Sequence, residues 1–233
     1  LNWYSCEMMT SSKVSLVDRA YDLAKGRILS AQLMPDSVID ENALAAELGA
    51  SKTPVRQALV RLSSEGFIRI LPQRGTLVNR ITANDIRHVY LLRALLEPAA
   101  SEIAALKATA AQITYLEDLD EVFQRSDESS PDLDTHSSIH VGIAALAGIP
   151  KMTKIIAELQ DQMHWFLSVR AAEGGPMPPR HRHTELIDAI KSGDPHRARA
   201  ITEESIAKSR AQITSQMAQE QDYGLLTGKG GTH

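Results

Sequence analysis

The chain has 233 residues, 43% of them hydrophobic and 4% aromatic, with a formal charge of −4 at neutral pH. That share of apolar side chains suits a globular core of one large or two ordinary domains, and the scarcity of aromatics suits helix-rich packing. A lone Cys6 excludes an intrachain disulfide and a Cys-x-x-Cys zinc site. No run approaches the ~18 apolar residues of a membrane span, and no secretion signal opens the chain, so a cytoplasmic protein is expected. Charge divides unevenly. Residues 1–80 carry ten Lys/Arg and eight Asp/Glu (+2), whereas 81–233 carry fifteen and twenty-one (−6). Only the first part suits a polyanionic partner.

Residues 1–12 show no period and are expected to form a flexible lead, with Met8 or Met9 as alternative native starts. Val14 to Leu33 reads as a helix, with Leu16, Ala20, Leu23, Ala24, Ile28 and Leu29 at helical spacing and Gly26 as its weak point. Met34-Pro35-Asp36 breaks the pattern, and Asp40 is placed to cap the next helix. The apolar-periodic segment Ala43 to Leu48 stops at Gly49. A second helix starts at Ser51, a residue type preferred as N-cap, with Pro54 in its first turn. Two short helices around a tight glycine turn make a helix-turn-helix. Phe67 to Leu71, a turn over Pro72-Gln73-Arg74-Gly75, and Thr76 to Asn79 then read as a β-hairpin. Residues 13–80 are therefore expected to fold as a winged helix.

At ~100° per residue, Val55, Ala58, Leu59 and Leu62 share one arc of the helix from Ser51. Lys52, Thr53, Arg56, Gln57 and Arg61 fill the rest. Ser51 to Arg80 holds six Lys/Arg against one acid, Glu65. An apolar back with a basic, hydrogen-bonding front suits a helix lying in the major groove, with Ser51 at its start and Arg74 and Gly75 at the wing tip as further contacts. A solvated face on a short helical hairpin is the plainer reading. The coincidence of turn, cap, basic front and wing favours DNA.

From Thr82-Ala-Asn-Asp85, a plausible helix start, the pattern changes to amphipathic helices near 84–107, 111–127, 132–147, 151–172, 181–192 and 195–220. Pro98 is a candidate kink in the first. Ser129-Ser130-Pro131, Gly148-Ile149-Pro150, Gly174-Gly175-Pro176 and Gly193-Asp194-Pro195 separate the others. The fold class is mainly α: a winged helix-turn-helix followed by an antiparallel helical bundle over 82–220, whose core has room for a small ligand. Residues 221–233 are expected to be a disordered tail. His136 and His140 stand four apart on one predicted helix and share a face. Arg93 and Glu97, also four apart, form either an intrahelical pair or a pocket wall. No His-Glu-x-x-His, Ser-His-Asp, phosphate loop or cysteine nucleophile is present, which argues against an enzyme.

The stretch LAAELGASKTPVRQALVRLSSEGFIRILPQRGTLV resembles the N-terminal domain of GntR-family bacterial transcription regulators. Ser51, Thr53, Pro54, Val55, Arg56, Ala58, Leu59, Leu62, Glu65, Gly66, Gly75 and Val78 match its pattern. Lys52 departs from the usual Arg and gives up a bidentate fork, and Gln57 replaces the usual acid. LLRALLEPAASEIAAL, HSSIHVGIAALAGIP and HTELIDAIKSGDPHRARA resemble the FCD effector domain of the FadR-type subfamily. The resemblance implies a regulator, usually a repressor, that dimerises through its bundle on a pseudo-palindromic double-stranded operator. It further implies a small effector, often an organic acid, gripped by Arg93 or, more weakly, Arg170. Many FCD domains bind a divalent metal through one Asp and three His. Here His140 and His183 match two of the histidines, His136 stands at the Asp and Ser205 at the last His. Three imidazoles still suit Zn²⁺ or Ni²⁺. Competing readings are a metal- or ligand-sensing helical protein whose winged helix binds protein, and a metalloenzyme.

Overall fold

The Ser15 side chain accepts a hydrogen bond from the Asp18 N–H and so starts helix α1 (Leu16–Leu29). This computed structural model describes residues 14–127, 132–175, 177 and 183–227; the expected lead and the last six residues lie outside them. Helix α1 buries Ala20, Tyr21, Ala24 and Ile28 and passes through Gly26 without a break. It stops short of Leu33, because Ser30 caps it and Ala31 turns to φ 57°. Strand β1 (Val38–Ile39) follows. Helix α2 (Glu41–Glu47) begins where the Asp40 carboxylate accepts from the Asn42 and Ala43 N–H groups. Gly49 reverses the chain at φ 59°, a backbone state that favours glycine. Helix α3 (Lys52–Ser64) then starts at Ser51, which holds the N-cap position without a side-chain cap bond.

Strands β2 (Ile68–Leu71) and β3 (Gly75–Val78) pair antiparallel from Ile68 opposite Val78 to Leu71 opposite Gly75. Their turn places Gln73 at φ 62° and Gly75 at φ 90°. Strand β1 adds to the other edge of β3, Val38 opposite Leu77, giving the order β1-β3-β2. The hairpin was legible in advance; the third strand is an addition.

The chain forms two compact units. The first takes the residues up to Thr82 and, unexpectedly, Asp161–Gly175. Its core joins Ile28, Leu44, Val55, Leu59, Leu62, Phe67, Ile68 and Val78 to Trp165 and Val169. The Phe67 and Trp165 rings pack at a tilt of 55° with centroids 5.4 Å apart. Beside them Lys25 Nζ lies 2.6 Å from the Asp161 carboxylate and 2.8 Å from the Tyr21 hydroxyl, which donates to Glu65 at 2.6 Å. Burial, helped by the Glu65 acceptor, pushes the Tyr21 phenol up to about 12.

The second unit holds residues 83–160 and those from 176 onward. Its elements are α4 (Ala83–Lys107), α5 (Ala110–Arg125), α6 (Leu133–Leu146), the first half of α7 (Pro150–Ala172), α8 (Thr184–Lys191) and α9 (Pro195–Thr227). Helix α4 runs on through the buried Pro98. Thr109 and Gln112 close a reciprocal capping box on α5, and Asp132 caps α6. Leu116, Ile139, Ile143, Ile187, Ile190 and Ala198 form one core cluster. A Cβ on Gly142 would come within 2.9 Å of Leu116, so this glycine permits the close approach of α6 to α5. Helix α9 passes the expected end near 220 and continues to Thr227. No helix among the described residues is long and apolar enough to cross a membrane.

Candidate functional site

Two sets of residues have the geometry of a site, one in each unit. On α3 the four apolar residues Val55, Ala58, Leu59 and Leu62 are at most 1% exposed, while Ser51, Lys52, Thr53, Arg56, Gln57 and Arg61 are all exposed. Arg74 and Gly75 are exposed at the hairpin turn. Two of the arginines have partners on their own unit. Arg56 Nε lies 2.9 Å from the Glu41 carboxylate, with 65% of its side chain accessible. Such a surface pair is worth ~0–1 kcal/mol and exchanges readily for a better anion. Arg61 is tied more firmly: its guanidinium lies 3.6 Å from the Tyr21 ring centroid, 3.2 Å from Glu65 and 3.7 Å from Asp18.

In the second unit His136, His140 and His183 bring ligand nitrogens within 4.8 Å of one another. Helix periodicity carries His136 and His140 to one face of α6, with ring centroids 4.7 Å apart. His183 occupies the N-cap position of α8 without making a cap bond. Its Nε2 lies 3.3 Å from the Nε2 of His140. Nitrogens sharing one tetrahedral zinc at ~2.0–2.1 Å would stand about 3.3–3.4 Å apart, so the residues present fit a metal. Behind the rings lie two acids: Glu97 Oε2 is 3.2 Å from His140 Nδ1, and Asp120 Oδ1 is 3.4 Å from His183 Nδ1.

Burial favours protonation of these acids, but their partners outweigh it. Arg93 and then His140 hold the Glu97 carboxyl well below the usual carboxylate range. The hydrogen bonds from His183 and Thr184 bring Asp120 down to about 2. Burial lowers His183, against the pull of Asp120, which favours the neutral imidazole that a metal requires.

A cavity of about 560 Å³ opens beside the cluster, lined by Glu97, His140, His183, Thr202, Ser205 and Lys208 among others. Ser205, singled out because it stands where the family has a histidine, shares this cavity with two of the imidazoles. Arg93 does not line it. Its Nε lies 2.7 Å from Glu97 Oε1 with 5% of the side chain exposed, so the pair reading holds and Glu97 forms the wall. Arg170 is also displaced from the expected role. It is buried in the first unit, near the Phe166 ring and packed against Gly175, where a Cβ would come within 2.8 Å of it. Asp132, one turn before His136, caps α6 and is not part of the cluster. Asp120 was missed altogether. It occupies the buried stripe of α5 itself, in step with Ile113, Leu116 and Phe123, and a carboxylate at such a position is the signal that could have found it.

Residues 16–78 match the gntR family of bacterial regulatory proteins, and residues 88–208 match the FCD domain. An HTH-type transcriptional regulator in an unstable DNA locus of Streptomyces ambofaciens is 27% identical over 174 residues, 72% of each chain. The HTH-type transcriptional repressor RspR of Escherichia coli K12 is 31% identical over 97 residues, and the match spans 42% of each chain. The solved structure of E. coli McbR/YncC superposes with a TM-score of 0.75 at 22% identity, over 89% of this chain and all of that one. That likeness concerns the fold. Family and relatives alike are transcription regulators rather than enzymes, and with both of its parts matched in order this chain belongs to the GntR family of bacterial regulatory proteins, in the group that carries a C-terminal FCD domain.

Proposed function

We propose that the chain is a transcriptional repressor that binds a pseudo-palindromic DNA operator as a homodimer and answers to a small organic acid held in the second-unit cavity. One observation carries the DNA-binding part: α3 buries its apolar back in its own unit and leaves Lys52, Thr53, Arg56 and Gln57 exposed on its front. A helix so divided suits the major groove, with Arg56 as a bidentate fork for guanine and Lys52 as a point charge for a phosphate or base. Ser51 at the helix start and Arg61, Arg74 and Gly75 at the margins suit backbone contacts, which position the protein rather than specify sequence. The repressor sign follows the relative RspR.

In the second unit, His136, His140 and His183 would hold the divalent ion, zinc or nickel. When bound, the ion supplies a Lewis-acidic contact for a ligand carboxylate. The chain adds the Ser205 hydroxyl and the Lys208 ammonium, which lies 2.5 Å from Glu204, while the Thr202 hydroxyl is committed to Ser101 and the Ala198 carbonyl. Such a ligand shifts operator affinity only by binding two conformations of the protein unequally.

The test is duplex selection from a random library with the whole protein, followed by anisotropy titrations across salt. The expected result is a palindromic site whose affinity falls steeply with salt, because Lys and Arg displace counterions. Binding that ignores salt, or no selected duplex, would overturn the operator reading and favour a protein partner.

A further inference from the structure

We infer that Glu97 and Asp120 are positioning residues that fix His140 and His183 in the tautomer presenting Nε2, and that they supply from behind the rings the negative charge which an all-imidazole ligand set lacks. This rests on the metal reading above. A neutral imidazole carries one proton, and an ionised carboxylate can only accept. His140 Nδ1 lies 3.2 Å from Glu97 Oε2, a buried oxygen that has no other donor, and His183 Nδ1 lies 3.4 Å from Asp120, so a proton on each Nδ1 would satisfy the acid behind it. Both Nε2 lone pairs then point into the same buried space, 3.3 Å apart. Without an ion, an N–H on one Nε2 bridges that gap as a hydrogen bond to the other, and a cation between two Nε2 lone pairs takes the place of that proton.

The carboxylates are themselves held on several sides. Glu97 Oε1 accepts from Arg93 Nε at 2.7 Å and from Gln160 Nε2 at 2.8 Å, which directs Oε2 to His140. Asp120 Oδ2 accepts from Gln124 Nε2 at 2.6 Å and from the Thr184 hydroxyl at 2.7 Å. Asp120 Oδ1 accepts from the backbone N–H of His183 at 3.3 Å as well as facing its ring. Asp120 thus sets both the chain position and the ring orientation of a ligand that stands outside the first turn of α8. A histidine at 136 in place of an acid moves the counter-charge from the ion's ligands to the groups behind them. Outer-shell carboxylates on ligating histidines do this in metal sites generally.

The experiment uses the full chain, freed of metal, and two readouts. Zinc and nickel affinity is measured by chelator competition, and the Co²⁺ absorption spectrum reports ligand geometry. Nitrogen-15 NMR of the wild type after zinc is added back reports which ring nitrogen carries the proton. Asp120→Asn and Glu97→Gln should each weaken zinc binding about 10–100-fold, because an amide can donate to Nδ1 and drive the proton to Nε2. Thr184→Val, which removes only one prop from Asp120, is a milder variant that keeps the test alive if the others fail to fold, and should cost several-fold. Nδ1–H resonances on His140 and His183 are expected. Wild-type protein that binds zinc while all three variants bind within twofold of it, or Nε2–H on either ring, overturns the positioning role and leaves the metal reading standing. Wild-type protein that binds neither ion overturns both.

Discussion

The basic front of α3 and the histidine cluster both depend on charge, yet they treat it in opposite ways. On α3 the Arg56 side chain is 65% accessible and that of its acid partner Glu41 26%. Around the cluster, Arg93, Glu97, His140 and His183 are at most 8% exposed, and each is paired with a named group. A surface that meets a large polyanion from solvent gains by keeping its cations hydrated and loosely paired. A site that grips a small ion must take its charges out of water beforehand and satisfy each one. The difference teaches that the same residue type, arginine, reads as a contact in one unit and as a strut in the other.

The strongest way to break this comparison is to remove the strut. Arg93→Ala leaves the Glu97 carboxylate buried beside His140 without its main counter-ion. Losing one partner of a buried pair costs about 3–5 kcal/mol, so the variant should denature at clearly lower urea concentration. Were Arg93 a ligand-gripping arginine rather than a strut, stability would barely change and effector binding alone would suffer. Next in size is the ion proposed for the three imidazoles. At a hundredfold excess over its Kd, a bound metal stabilises by about 2.7 kcal/mol. Chelation should lower the melting temperature of the wild type and leave that of His140→Ala unmoved.

These two predictions concern what was hardest to read in advance. The face of α3 was legible because helical periodicity is local: Val55, Ala58, Leu59 and Leu62 declare the buried side by spacing alone. His136 and His140 were legible for the same reason, and His183 through a family pattern. Asp120 and Glu97 come from two other helices, and nothing within either segment announces which imidazole each will meet. Strand β1 escaped notice because two residues, Val38 and Ile39, gain their character only from pairing with Leu77 and Thr76. The partition of α7 escaped for a related reason. Residues 151–172 read as one amphipathic helix, and the contacts of Lys25 with Asp161 and Phe67 with Trp165 join side chains 136 and 98 residues apart.

A smaller effect sharpens the other side of the comparison. Arg56→Ala should weaken operator binding by about 1–3 kcal/mol and relax sequence preference, with folding stability changed by under about 1 kcal/mol. Lys52→Ala should instead reduce the slope of log affinity against log salt by about one if the ammonium sits on a phosphate. Glu41→Gln, which frees the guanidinium of Arg56, should strengthen binding a few-fold at most. Undiminished operator binding by Arg56→Ala in a gel-shift assay would remove this residue from the interface.

The smallest expected effect lies at the two helix starts of the helix-turn-helix. Asp40 accepts from the Asn42 N–H at 2.8 Å and the Ala43 N–H at 3.1 Å, so Asp40→Ala should cost about 1 kcal/mol of stability. Ser51 holds the equivalent position on α3 but makes no such bond. Ser51→Ala should therefore cost clearly less, within ~0.5 kcal/mol, the range of ordinary surface substitutions. On DNA the order should reverse. A hydroxyl not spent on the helix can reach a phosphate at the positive end of α3, whereas Asp40 would repel one. Ser51→Ala should lower operator affinity with stability intact, and Asp40→Ala the converse. If urea melts rank the two variants the other way, the Ser51 hydroxyl is capping α3 in solution and is not available to the operator.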